Sequence, residues 1–151
     1  LVIRRALFRV TAKNETRAIP WCTYTDPELA HVGLTEAQAK AQLGSVKVSR
    51  WNMAENDRAQ AERVRRGLIK VVMDGSTRIV GASIVGPHAG DLILPWVMAV
   101  QQRMKIGAFT GIVAPYPTLG EVSKRVASAY YTPTLFSGRT RTLVKLLSWF
   151  G

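Results

Sequence analysis

One stretch limits the architecture more than any other. Leu68-Ile-Lys-Val-Val-Met73 and Arg78-Ile-Val-Gly-Ala-Ser-Ile-Val85 are two runs rich in Val and Ile. They are separated by Asp74-Gly75-Ser76-Thr77, and Gly86-Pro87 closes the second. Branched Cβ atoms suit a pleated backbone, and Asp-Gly supplies the turn between the runs. The pattern predicts a β-hairpin. An isolated hairpin is marginal in water, so this one requires further strands and a cover.

The rest of the chain offers both. Trp21-Cys-Thr-Tyr24 is β-prone and ends in the turn signal Thr25-Asp26-Pro27. Val46-Lys-Val-Ser-Arg-Trp51 alternates as a half-buried strand does. Thr35-Glu-Ala-Gln38 has capping-box spacing and predicts a helix to about Leu43, with Gly44 as its stop. Residues 52–66 are polar and irregular. A long apolar helix is expected over Ala89–Met104 and another over Leu119–Tyr130, with Pro133 breaking the pattern. A short helix is expected in Leu1–Val10, followed by a polar link to Pro20. The order gives an α+β fold, an antiparallel sheet backed by helices.

At 151 residues the chain can bury a real core. It has no apolar run near the roughly 20 residues of a membrane span and no signal-peptide pattern. Leu1 is not an initiator methionine, which predicts a start part-way through a longer protein. Cys22 is the only cysteine, so an internal disulfide and a cysteine-pair redox centre are excluded. A buried structural thiol in a reducing, cytoplasmic setting is expected. The net charge is +11, but residues 1–17 carry +4 and residues 124–151 carry +5, leaving +2 between them. The charge sits at the ends and not on one folded basic face, which argues against nucleic acid as partner.

The segment Ala114-Pro115-Tyr116-Pro117-Thr118-Leu119-Gly120-Glu121 is the best candidate site. Two prolines stiffen a loop that delivers a tyrosine, and a glutamate follows five residues later. Read from residues alone, Thr118 and Glu121 fit N-cap and N3 of a helix, so a plain capping box accounts for them. On the same footing a trans Tyr116–Pro117 bond is favoured. His31 reads as a loop or surface histidine. Neither His31 nor His88 has a second ligand at metal spacing, so no metal site is expected.

Several segments in order resemble the C-terminal dimerisation domain of FAD-dependent pyridine nucleotide-disulfide oxidoreductases, which include dihydrolipoamide dehydrogenase, glutathione reductase and mercuric reductase. They are Thr25-Asp26-Pro27 through Thr35-Glu36, Asn56-Asp57-Arg58-Ala59, Gly67 to Val72, Ile79 to Ala82, Gly86-Pro87-His88-Ala89-Gly90-Asp91, and Pro117-Thr118 with Glu121. The resemblance covers roughly residues 20–131. It makes residues 1–19 the end of a preceding FAD domain and leaves residues 132–151, a basic amphipathic tail by composition, outside the match.

The resemblance implies a homodimer in which the Tyr116–Glu121 loop completes the partner subunit's FAD and disulfide site. NAD(P)H would be the reductant, and the family's loop suggests a cis Tyr116–Pro117 bond, against the trans preference of the residues alone. Tyr116 and Glu121 would be the catalytic residues there, and Tyr116, Pro117 and Thr118 would approach the flavin through their backbone. The resemblance places the cofactors on upstream FAD and NAD domains, and Gly-x-Gly-x-x-Gly spacing is missing among the twelve glycines here. No cofactor is therefore expected on this chain alone. Thiol-reducing members carry histidine where this chain has Tyr116. Imidazole is a good base near pH 7 and phenol is not, so the substitution points away from dithiol substrates towards a metal ion or another small acceptor. The apolar helix carrying Leu92, Ile93, Pro95, Trp96 and Met98 is either core or interface to a second subunit.

The tail, with Leu143, Leu146, Leu147 and Phe150 at helical spacing, reads first as a solvated or partner-packed helix. Membrane docking through Arg139, Arg141 and Lys145 is the second reading. The alternative for the whole chain is a stand-alone basic module for nucleic acid or anionic membrane.

Overall fold

A computed structural model describes residues 2–10 and 16–149. Leu1, most of the link before Pro20 including Lys13 and Glu15, and Phe150 of the tail lie outside the described residues.

The expected hairpin forms the middle of the sheet. Strand β4 (Leu68–Asp74) pairs with β5 (Ile79–Gly86), with a register shift between Val72 and Met73. Asp74 closes the turn, its Oδ1 accepting from the backbone N–H groups of Ser76 at 2.8 Å and Arg78 at 2.9 Å. Outside the hairpin lie β3 (Val46–Asn52), β2 (Glu28–Gly33) and β1 (Trp21–Thr23). The sheet runs β1-β2-β5-β4-β3, and every pairing is antiparallel.

The sequence pattern does not mark β2, although it lies inside the sheet. Its polar Glu28 and His31 disguise it. His31 is a buried strand residue, which corrects its reading as a loop or surface histidine. Its ring is fully used: Nε2 donates to the Gly33 carbonyl at 3.0 Å, so Nδ1 accepts from the Ser83 hydroxyl at 2.9 Å. Gly33 ends the strand at φ +77°, where a Cβ would meet the Val80 carbonyl oxygen at 2.3 Å. Only glycine fits there.

One face of the sheet is covered by helices. Helices α4 (Ala89–Leu92) and α5 (Leu94–Gln101) lie over β2 and β5, and α6 (Val122–Leu135) lies over β3 and β4. Ile69, Val71, Met73, Ile79 and Ile84 meet Trp96, Ile106, Val122 and Val126 in one core. Trp96 is fully buried and stacks on Phe109, with ring centroids 4.4 Å apart. Ser49 stitches β3 to α6 by donating to the Val126 carbonyl at 2.7 Å.

The opposite face carries α2 (Glu36–Leu43) on β3 and β4. Its predicted capping box is present: Gln38 N–H donates to Thr35 Oγ1, and Thr35 N–H donates to Gln38 Oε1 at 2.9 Å. Glu36 receives Lys40 at 2.8 Å, Arg50 at 2.7 Å and Lys70 at 3.2 Å. This cluster pins the helix across the sheet.

Two helix expectations need correction. The helix over Ala89–Met104 is two pieces, because Pro95 has no N–H to give the Asp91 carbonyl. Helix α6 runs through Pro133 to Leu135 instead of stopping at Tyr130. So close to the helix end, proline costs one hydrogen bond, and Phe136 N–H still reaches the Thr132 carbonyl at 3.1 Å. The short helix near the start is α1 (Val2–Ala6). The polar stretch after β3 holds α3 (Asp57–Ala61). The tail forms α7 (Gly138–Leu147), capped by the Ser137 side chain.

Candidate active-site loop

The loop from Ile112 to Thr118 leaves the core after Phe109 and returns at α6. Its shape is set from a distance by the start of α3. Asn56 is buried and works in two directions. Its Oδ1 caps α3 by accepting the Ala59 N–H at 3.0 Å, while its Nδ2 donates to the Thr118 carbonyl at 3.1 Å. The next residue, Asp57, accepts the Tyr116 hydroxyl at 2.9 Å. Thr118 Oγ1 turns back onto the Pro115 carbonyl at 2.8 Å. Three hydrogen bonds thus hold Pro115, Tyr116 and Thr118, three of four consecutive loop residues. The Tyr116–Pro117 bond is cis, correcting the trans preference read from the residues alone.

The capping-box account of Thr118 and Glu121 also fails. The Thr118 hydroxyl goes to Pro115, and residues 119–121 form a 3₁₀ turn without a side-chain cap. Glu121 is buried, at 8 % exposure, and Oε1 takes both Nε and Nη2 of Arg125 at 2.8 Å. Burial of a carboxylate is tolerable because a guanidinium fork answers it.

The four expected site residues therefore form one loop, but not one hydrogen-bonded pair. Tyr116 is tied to Asp57 and Glu121 to Arg125. The Asp57 hydrogen bond, with the charge of the same carboxylate and a smaller push from Glu121, raises the Tyr116 pKa above its ordinary value. A phenol held in its protonated form is a hydrogen-bond donor and not a base at neutral pH. Asn56 and Asp57 hold the candidate loop and were missed by site reasoning on the sequence, although both stand in the Asn56-Asp57-Arg58-Ala59 segment.

Beside the loop runs a groove of about 340 Å³, bordered by Leu92, Pro95, Phe109, Ile112, Val113 and Pro115. Val113 is 91 % and Tyr116 is 67 % exposed. Among the described residues there is no group of three or more His, Cys, Asp or Glu able to hold a metal ion. No helix among them is long and apolar enough to cross a membrane. Cys22 is a free, half-buried thiol.

Comparison with known proteins agrees with this geometry. Residues 19–127 match the family model described as the pyridine nucleotide-disulphide oxidoreductase dimerisation domain. A mercuric reductase of Staphylococcus aureus is 36 % identical over 131 residues, 86 % of this chain and 24 % of that protein. A dihydrolipoyl dehydrogenase of Synechocystis is 40 % identical over 112 residues, 70 % of this chain and 23 % of that protein. The crystal structure of LpdA from Mycobacterium tuberculosis superposes with a TM-score of 0.77 at 27 % identity, covering 84 % of this chain and 28 % of that one. The chain spans about a quarter of the length of the curated relatives it matches. By sequence match and by fold, this chain belongs to the pyridine nucleotide-disulphide oxidoreductase dimerisation-domain family.

Proposed function

We propose that residues 20–131 are the interface domain of a flavoprotein oxidoreductase, with residues 1–19 ending its FAD domain and residues 132–151 forming an added tail. In this reading two chains pair through their helical faces, and each lends the Tyr116–Glu121 loop to the FAD and disulfide site of the other. The intact enzyme passes electrons from NAD(P)H to a small acceptor in a reducing, cytoplasmic setting.

A single observation carries this reading. The loop is fixed by three hydrogen bonds, yet it offers Val113 and Tyr116 to solvent. Such order at an exposed edge suits a surface completed by another subunit. The residues do not fit a resident dinucleotide. The positive-φ glycines include Gly33, Gly67 and Gly86, and they stand at strand ends, where a Cβ would strike backbone or Met53. Among the described residues no glycine-rich phosphate-binding turn precedes a helix. The flavin would supply hydride and electron transfer when bound in the intact dimer.

This chain's part would be to close the site against water and to hold a proton on Tyr116 Oη. Asp57 fixes the phenol's direction, and Glu121 with Arg125 fixes the first turn of α6 beneath it. With its one proton committed to Asp57, Tyr116 Oη would meet the acceptor through its lone pairs, a role compatible with a metal ion and unsuited to activating a dithiol. The mercuric reductase relative motivates the metal ion as acceptor.

The test is the mass of the chain by size-exclusion chromatography with light scattering at micromolar concentration. A dimer is expected. Leu94→Glu with Met98→Glu, on the exposed stripe of α5, should yield folded monomer. A wild-type monomer at that concentration would sink the interface reading.

A further inference from the structure

The tail helix α7 is amphipathic, and nothing among the described residues covers it. At about 100° per residue, Leu143, Val144, Leu146 and Leu147 share one arc. Arg141, Lys145 and Ser148 lie on the other. The four apolar side chains are 56 to 60 % exposed, and Trp149 just beyond them is 86 % exposed. Thr140 falls within the apolar arc but spends its hydroxyl on the Thr134 carbonyl at 2.8 Å. Arg139 sits near the edge of that arc, where its long stem can lie along apolar surface while its charge reaches water. No acidic residue follows Glu121 in the sequence.

An exposed apolar stripe calls for a partner, and its setting identifies which kind. A nucleic acid would answer the cations and leave the leucines in water. A second copy meeting the helix through its apolar arc would cover the leucines and leave the basic arc unanswered. An anionic lipid surface answers both faces at once, with the apolar arc among acyl chains, the basic arc among headgroups and Trp149 at the boundary. Ten residues, Gly138–Leu147, are half of what a span requires, so the helix lies in the plane. We propose that α7 is an interfacial helix that docks this chain on anionic membrane. This surface is separate from the Tyr116 loop, and the proposal stands without the flavin-site reading.

The test uses the full chain sedimented with vesicles of phosphatidylcholine alone or mixed with phosphatidylglycerol. Binding to the mixed vesicles that weakens as salt rises is expected, with little on phosphatidylcholine. Each basic residue near such a surface is worth about fivefold. Arg141→Glu with Lys145→Glu should therefore lower binding by at least about tenfold. Leu143→Glu with Leu147→Glu should abolish it and leave the thermal melt unchanged, since no core contact is lost. Equal binding to both vesicle types, no binding to the mixture at low salt, or wild-type binding by either double variant overturns the proposal. So does a Leu143/Leu147 variant that alters the oligomeric state while lipid binding persists, because that assigns the stripe to a second copy.

Discussion

Helices α5 and α7 both show leucines to solvent, but α5 is backed and α7 is not. One side of α5 sinks Trp96, Ala99 and Val100 into the core while Leu94 and Met98 remain outside. Helix α7 buries no side chain. An apolar residue on a backed helix is presented at a fixed place, which suits an isologous contact with a rigid twin. On an unbacked helix it can settle into a soft surface. If the pairing and docking proposals both hold, the same residue type serves two kinds of partner according to what stands behind it.

The contrast is sharpest in stability. Trp96→Ala, which empties the centre of the backed layer, should cost about 3–5 kcal/mol in urea unfolding, within the usual range for a large aromatic removed from a core. A loss below about 1 kcal/mol would mean that α5 is no better anchored than the tail.

Asn56→Ala removes an N-cap and the tie to Thr118 together. It should cost about 2 kcal/mol in the same measurement. Tyr116→Phe removes one exposed hydrogen bond, so a loss of about 1 kcal/mol or less is expected. If the tyrosine variant were the more damaging, the clamp would act through Asp57 instead of Asn56.

The pH dependence examines the opposite face of the sheet. Hydrogen bonds from Lys40 and then Lys70, with the charges of both lysines, hold Glu36 at about 2 against a desolvation effect that raises it. Its folded pKa lies below the unfolded value of about 4.3. The stabilisation is therefore present above that value and fades as pH falls from there towards 2. Glu36→Gln should flatten the acid limb of a plot of urea midpoint against pH and leave the neutral region nearly level. An unchanged acid limb would deny the cluster its pinning role.

The smallest effect belongs to the tail. Leu143→Ala with Leu147→Ala should shift unfolding by no more than about 0.5 kcal/mol. A larger loss would show that α7 packs on the body, and the contrast with α5 would collapse.

The sequence revealed most where neighbours along the chain decide the outcome. The β4–β5 hairpin, the Thr35–Gln38 capping box and β3 depend on local pattern, and all three are present. It was opaque where a residue's partner lies far away. His31 looked like a loop histidine because its answering hydroxyl, Ser83, is 52 residues on. The clamp on the Tyr116 loop escaped notice for the same reason, since Asn56 and Asp57 meet Thr118 and Tyr116 across gaps of 62 and 59 residues. The Thr118–Glu121 spacing misled in the opposite sense. It has a local explanation that the side chains decline, Glu121 preferring Arg125. Family resemblance reached the domain and its fold, but spacing could not supply the loop's hydrogen bonds.

The clamp has a practical corollary for chimeras. Because Asn56 and Asp57 dictate the shape of a loop encoded some sixty residues later, residues 112–118 are not a portable cassette. A designer who transplants that segment into a relative carries over its side chains without its mould. The heritable unit is the pair of segments together, and recombination that parts them should yield protein that folds normally and has lost the edge it was meant to present.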